Sequence, residues 1–241
     1  MSGHSKWSTI KRAKGAKDAK RGAVFTKLSN LISVAARDKG GDTETNFSLR
    51  LAVDKAKAAN MPKDNIERAI KKGTGELEGD QIEELYYEGI GPLNSQFIVK
   101  CLTDNKNRSA ANVRHIFSKY GGSLSSVNWN FEQKSVISFE LKQLKDLHLS
   151  EDELELALID AGAEDIKKEE DLCLVFGLIS DLQNLKQVLE KNKLPILSAE
   201  IEYLAKEETE ISEEDREKIG NFIEALEEDE DVSDFYTNLK L

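Results

Sequence analysis

As far as Gly75 the apolar residues recur three and four positions apart, the spacing that places them on one helix face. Trp7, Ile10 and Ala13 do so sparsely within an Ala- and Lys-rich stretch over residues 6–20. Phe25, Leu28, Ile32 and Ala35 predict a helix over about residues 24–37, ended by Gly40-Gly41. Leu49, Ala52, Val53 and Ala56 predict another up to about Ala59. Pro62 opens a short helix carrying Ile66, Ala69 and Ile70; Lys71 and Lys72 suit its last turn, and Gly73 is expected to stop it. Helices with such small apolar faces make a compact bundle, and residues 73–80 read as a linker.

Downstream the period changes. Residues 84–90 and 96–102 read as strands, Val113, Ile116, Phe117 and Tyr120 mark a helix closed by Gly121-Gly122, and residues 124–131 read as another strand. A self-contained run follows: a strand at 136–141, a helix lined by Leu154, Ala157, Leu158 and Ala161, and strands at 163–168 and 172–179. A helix lined by Leu182, Leu185 and Leu189 and a strand at 197–204 complete it. The order β-α-β-β-α-β is ferredoxin-like, with two helices on one face of an antiparallel sheet.

What remains is an acidic helix with Ile219, Phe222, Ile223 and Leu226 and a strand at 232–239. Such a pair cannot bury its apolar face alone, and the middle segment lacks a partner of this kind. The expected fold is therefore α+β: an N-terminal helical bundle followed by two α+β domains, one ferredoxin-like and inserted into the other. The expected boundaries are residues 1–77 for the helical domain, 78–132 plus 206–241 for the discontinuous domain, and 133–205 for the ferredoxin-like one.

Charge sharpens this division. The whole chain of 241 residues has a formal net charge of −11, which by itself argues against a nucleic-acid partner. Residues 1–75 hold 17 Lys/Arg against 7 Asp/Glu, or +10; the rest holds 17 basic against 38 acidic residues, or −21. A basic binding domain on an acidic remainder has this footprint, and the acidic part should confine phosphate to the N-terminal face. A membrane surface, the competing anionic partner, would need a larger apolar face than Trp7 and Ile10 supply.

Other chemistry finds little support. No apolar run approaches the roughly 20 residues of a membrane span, and the N-terminus lacks the apolar core of a secretory signal, so a cytoplasmic protein is expected. Cys101 and Cys173 lie in apolar, strand-like runs and read as buried free thiols. His4, His115 and His148 share no metal-ligand spacing with them. Neither a phosphate-binding loop nor a nucleophile elbow is present. No enzyme, cofactor, metal or small-molecule substrate is expected. The acidic run at residues 227–231 reads as a solubilising surface that also repels phosphate.

The candidates for phosphate contact are Lys6, Lys11, Arg12, Lys14, Lys17, Lys20, Arg21 and Lys27, a stretch opposed only by Asp18. Contacts of this type position a nucleic acid without reading its sequence. Trp7 is a candidate to stack on an exposed base, against the plainer role of anchoring the first helix to the bundle. Asn105-Lys106-Asn107-Arg108 stands between a strand and a helix. Arg108 could add donors to an anion site there, or Asn105 could simply cap the helix. Lys63, Arg68, Lys71 and Lys72 extend the basic surface, offset in part by Asp64 and Glu67.

Several runs resemble the YebC/PmpR family: residues 3–7 (Gly-His-Ser-Lys-Trp), Asp18-Ala19-Lys20-Arg21-Gly22 with Phe25-Thr26-Lys27-Leu28, and above all residues 60–75 from Asn60-Met61-Pro62 to Gly73-Thr74-Gly75. Tyr87-Glu88-Gly89, residues 103–108 and Phe117-Ser118-Lys119 with Gly121-Gly122 add to it. The resemblance implies a helical N-terminal domain and two α+β domains, the second discontinuous. Where the family continues with glycines after Gly91-Pro92, this chain has Leu93-Asn94-Ser95, and after Gly122 it has Ser123-Leu124-Ser125-Ser126. The resemblance implies a DNA-binding regulator of transcription; its mitochondrial translational activators imply instead a ribosome-associated factor bound to ribosomal RNA. Both partners present phosphate, so a basic helical domain suits either. The lack of a clear helix-turn-helix pattern leans towards RNA recognised by shape.

Overall fold

The computed structural model describes residues 19–169 and 171–240. In chain order the described elements begin with helices α1 (Ala19–Lys39), α2 (Phe47–Ala58) and α3 (Lys63–Thr74). Strands β1 (Glu83–Ile90) and β2 (Gln96–Thr103), helix α4 (Lys106–Lys119) and the short β3 (Ser123–Leu124) follow. Then come β4 (Phe131–Glu140), α5 (Lys142–Asp146), α6 (Glu151–Asp160), β5 (Ala163–Glu169), β6 (Leu172–Gly177), α7 (Leu182–Lys191) and β7 (Ile196–Ala205). Last are β8 (Thr209–Glu210), α8 (Glu213–Glu228), β9 (Val232–Thr237) and β10 (Leu239–Lys240). The chain divides into two compact units, one running to Phe131 and resuming at Ala205, the other spanning Glu132–Leu204.

In the first unit α1 is the spine of the helical bundle. Ile32, Ala35 and Ala36 pack against Leu49, Ala52, Val53, Ala56, Met61, Ile66 and Ala69. Asn46 ties the start of α2 to the end of α1: its oxygen accepts from Leu49 N–H at 3.0 Å, and its amide donates to Ala35 and Gly40 carbonyls. Gly73 does not stop α3, which runs on to Thr74. Gly75, at φ +82°, makes the left-handed cap. Gly73 serves close packing instead, because a Cβ there would lie 2.3 Å from the Ser33 carbonyl oxygen of α1.

The sheet of this unit has the order β3-β1-β2-β9, antiparallel throughout. Its strand β9, from the far end of the chain, completes the sheet begun by β1 and β2, as the two unpartnered segments require. Helices α4 and α8 cover one face, where Phe97, Phe117 and Phe222 meet edge to face at 5.0–6.5 Å between ring centres. The expected strand at 124–131 is mostly absent. Glu88 is the reason, since its carboxylate takes the Val127 and Asn128 N–H groups at 2.7 and 2.8 Å and the Ser126 hydroxyl at 3.1 Å. Those donors go to a side chain rather than to a ladder. In the turn after Gly91-Pro92, Leu93 and Asn94 both hold φ +59°, so the backbone there is one that glycine adopts without cost.

The second unit has a sheet of order β5-β6-β4-β7. With α6 and α7 between its strand pairs this is the ferredoxin-like arrangement, and Ile137, Phe139, Leu154, Leu158, Cys173, Val175, Leu185 and Leu189 form its core. The fold is thus α+β, with a helical bundle and a ferredoxin-like unit inserted into a second α+β unit. Strand β6 ends at Gly177, two residues before the expected end, and leaves Leu178 and Ile179 in solvent.

Candidate nucleic-acid interface

Lys6, Trp7, Lys11, Arg12, Lys14 and Lys17, with His4, lie outside the described residues. Lys20 and Arg21 belong to the first turn of α1. The basic stretch therefore leads directly into α1, and what holds α1 decides where that stretch is attached.

The side of α1 turned away from the bundle carries Lys27, Asn30, Val34 and Arg37, three or four residues apart. Lys27 Nζ donates to the Glu227 carbonyl at 2.5 Å, in the last turn of α8, where the unpaired carbonyls of a helix end favour a cation. Asn30 Nδ2 donates to the Leu102 carbonyl at 3.0 Å, and Arg37 donates to the Ile82 carbonyl. Val34 joins Leu102 and Ile82 in a small buried cluster. One helix is thus bonded on both sides, to α2 and α3 by apolar packing and to β2 and α8 by polar bonds. The 27/30/34/37 spacing was the available signal, masked in the sequence by its mixed polarity.

Arg108 is bonded within the fold. Its Nε and Nη2 reach the two Asp231 oxygens at 3.1 and 2.7 Å, and Nη2 also reaches Asp104 at 2.9 Å. Hydrogen bonding to Asp231, then to Asp104, holds the guanidinium well above its ordinary pKa range, so it stays charged. Asn105 caps α4 by accepting from Arg108 N–H at 3.0 Å, the plainer of the two roles considered for this segment.

The acidic run at 227–231 departs from its expected role as a solvated surface. Asp231 is buried beneath Arg108. Asp229 accepts from the N–H groups of Asp231 and Val232 through one oxygen and from Asn112 Nδ2 through the other. These carboxylates close the turn between α8 and β9. Beneath them lies the Cys101 thiol, pushed up to about 12 by burial.

Elsewhere on the helical bundle Lys57, Lys63, Arg68 and Lys71 are exposed. Lys63 pairs with Glu67 at 3.4 Å and Lys57 with Asp54 at 3.5 Å, surface pairs of small energetic weight. Arg68 and Lys71 on α3 are exposed and make no ion pair among the described residues. The Arg50 guanidinium lies 5.6 Å from the centre of the Phe47 ring. No helix among the described residues is long and apolar enough to cross a membrane.

Residues 5–76 match the description "TACO1/YebC protein N-terminal domain", and residues 82–239 match "TACO1/YebC second and third domain". The chain belongs to the TACO1/YebC family. A probable transcriptional regulatory protein of Thermoanaerobacter pseudethanolicus is 47% identical, with 100% of this chain and 98% of the relative covered. One of Thermotoga maritima, also named a probable transcriptional regulatory protein, is 47% identical over 100% of this chain and 94% of its own. The crystal structure of a conserved hypothetical protein from Aquifex aeolicus matches with a TM-score of 0.77 and 42% identity, covering 94% of this chain and 93% of that one. Within the family's 60–75 run, Gly73 and Gly75 have distinct physical tasks here, helix contact and helix termination.

Proposed function

We propose that this TACO1/YebC chain is a non-enzymatic, cytoplasmic regulator of gene expression that binds nucleic acid through its basic N-terminal domain, residues 1–77. The observation that carries the reading is the charge division, +10 in residues 1–75 against −21 in the rest. Phosphate is attracted to one end and repelled by the other. The names of the relatives support DNA as the partner and control of transcription as the outcome. Lys6, Lys11, Arg12, Lys14, Lys17, Lys20 and Arg21 are the proposed phosphate contacts, with Trp7 beside them. Lys27 and Arg108 contribute by fixing the fold on which that stretch is mounted, since their charged groups already have partners within it.

The test uses the full chain and a variant with Lys11, Arg12 and Lys14 replaced by Asp. Chromatin crosslinking and sucrose-gradient sedimentation, with and without RNase, are compared. Discrete promoter peaks lost in the variant support the reading. Ribosome co-migration lost in the variant, without promoter peaks, would transfer the function to ribosomal RNA. In binding assays the variant should flatten the dependence of log K on log salt by about 3, one per lost phosphate contact. An unchanged slope would refute the placement of the site.

A further inference from the structure

The outer face of α6 in the ferredoxin-like unit carries an apolar patch that the core does not use. Leu154 and Leu158 point inward, while Leu156 and Ile159 are 63% and 55% exposed. Leu178 and Ile179, just past the end of β6, are 49% and 44% exposed. The two segments approach each other at Gly162, whose N–H bonds the Ile159 carbonyl and where a Cβ would lie 2.8 Å from the Asp181 side chain. Four large aliphatic residues on one short stretch of surface are the usual mark of an interaction site.

On the helix side the rim of the patch is acidic, and the one cation in register with Leu178 across the sheet, Lys134, is already paired with Glu164 at 2.8 Å. Asp152 and Glu153 stand one turn before Leu156, and Asp160 stands one turn after it. None of the three makes an ion pair among the described residues, and Asp181 approaches from the other side. The neighbouring Glu151 and Glu155 face Lys168 on another flank of the helix. Asp160 ends a helix whose last turn has no basic residue. A carboxylate there is unfavourable beside the helix's own free carbonyls. That placement costs the isolated protein stability, and a cation brought by a partner would relieve it.

We propose that this patch docks a basic protein segment with an apolar stripe, a Lys/Arg-rich amphipathic helix whose aliphatic side chains cover Leu156, Ile159, Leu178 and Ile179. The charge of the rim selects this occupant. A second copy seated face to face would set the same carboxylates against each other.

The test titrates the full chain at physiological salt with a labelled 18-residue peptide of Lys and Leu, its leucines on one helix face. A control peptide has the same composition with the leucines scattered. Fluorescence anisotropy should show at least tenfold tighter binding of the first peptide. That preference should vanish in the Leu156→Gln/Ile159→Gln variant, whose changes lie on the surface and leave the unfolding midpoint in place. A second variant, Asp152→Lys/Asp160→Lys, keeps the aliphatic patch and should weaken binding by at least tenfold. Equal affinity for the two peptides, or unchanged binding in both variants, would overturn the proposal. So would self-association that the Leu156→Gln/Ile159→Gln variant abolishes, which would assign the patch to a second copy.

Discussion

The run at residues 227–231, flanked by Leu226 and Val232, and the outer face of α6 both place several carboxylates beside aliphatic residues. In the structure they have opposite fates. Asp231 is buried under a bidentate guanidinium and Asp229 caps a turn, whereas Asp152, Glu153 and Asp160 surround exposed leucine and isoleucine. The difference lies in what faces each stretch. Lys27, Arg108 and Asn112 come from elements far away in sequence and meet the first run across the fold. Among the described residues no such groups meet Asp152, Glu153 or Asp160. Acidic composition therefore says little about role until the opposing residues are known.

The largest effect that tests this contrast is at Arg108. Arg108→Ala strands Asp231, whose side chain is 4% exposed, without its cation. Breaking a buried pair this way is costly, but the Arg108 side chain is 49% exposed and water can partly replace it. The expected loss is about 2–3 kcal/mol, read from the urea midpoint. A loss near zero would place the 227–231 run with the outer face of α6.

The same variant should loosen the first unit selectively. Cys101 and Cys173 are each buried, and burial pushes both thiols up to about 12 from an ordinary 9.0. Neither should react with a thiol reagent in the native protein at pH 8. A loss of about 2 kcal/mol corresponds to roughly thirtyfold more opening, so Arg108→Ala should speed labelling of Cys101 by that factor and leave Cys173 unchanged. Equal acceleration at both thiols would mean that the units open together. With the folded thiols above their unfolded value, the unfolded chain ionises first. The thiols' contribution to stability is then full below about pH 9 and is lost from there towards pH 12.

Asp229→Ala should cost about 1–2 kcal/mol, because it removes the acceptor for two backbone N–H groups and the Asn112 amide. At the other end of the scale, Asp160→Asn should raise stability by a few tenths of a kcal/mol through relief at the helix end. A measurable loss there would show that the α6 rim is a structural feature after all, like the inward-facing run.

The bundle, the ferredoxin-like order and the discontinuous sheet were legible because each rests on periodicity. Leu49, Ala52, Val53 and Ala56 bury one helix face wherever that helix is placed, and a sheet short of an edge needs β9. Sequence pattern and structure part where a side chain competes with the backbone or where two elements approach closely. Glu88 withdraws the N–H groups of 127–128 from a strand, and nothing local announces it. Gly73 looks like a helix stop in sequence, yet its task is set by Ser33 of another helix. The candidate interface was legible as charge, in the +10 of residues 1–75, while the assignments of Lys27 and Arg108 to bonds with residues 227–231 were not.

By itself, then, the sequence determined the charge of each end of the chain, the element types and the order in which they pair, because charge and hydrophobic period are properties of neighbouring residues. Only the tertiary structure decided which charges remain available to a partner. A lysine or an aspartate is free or committed according to what the fold brings within about 3 Å of it. For Lys27, Arg108, Asp229 and Asp231 that partner comes from 100 or more residues away.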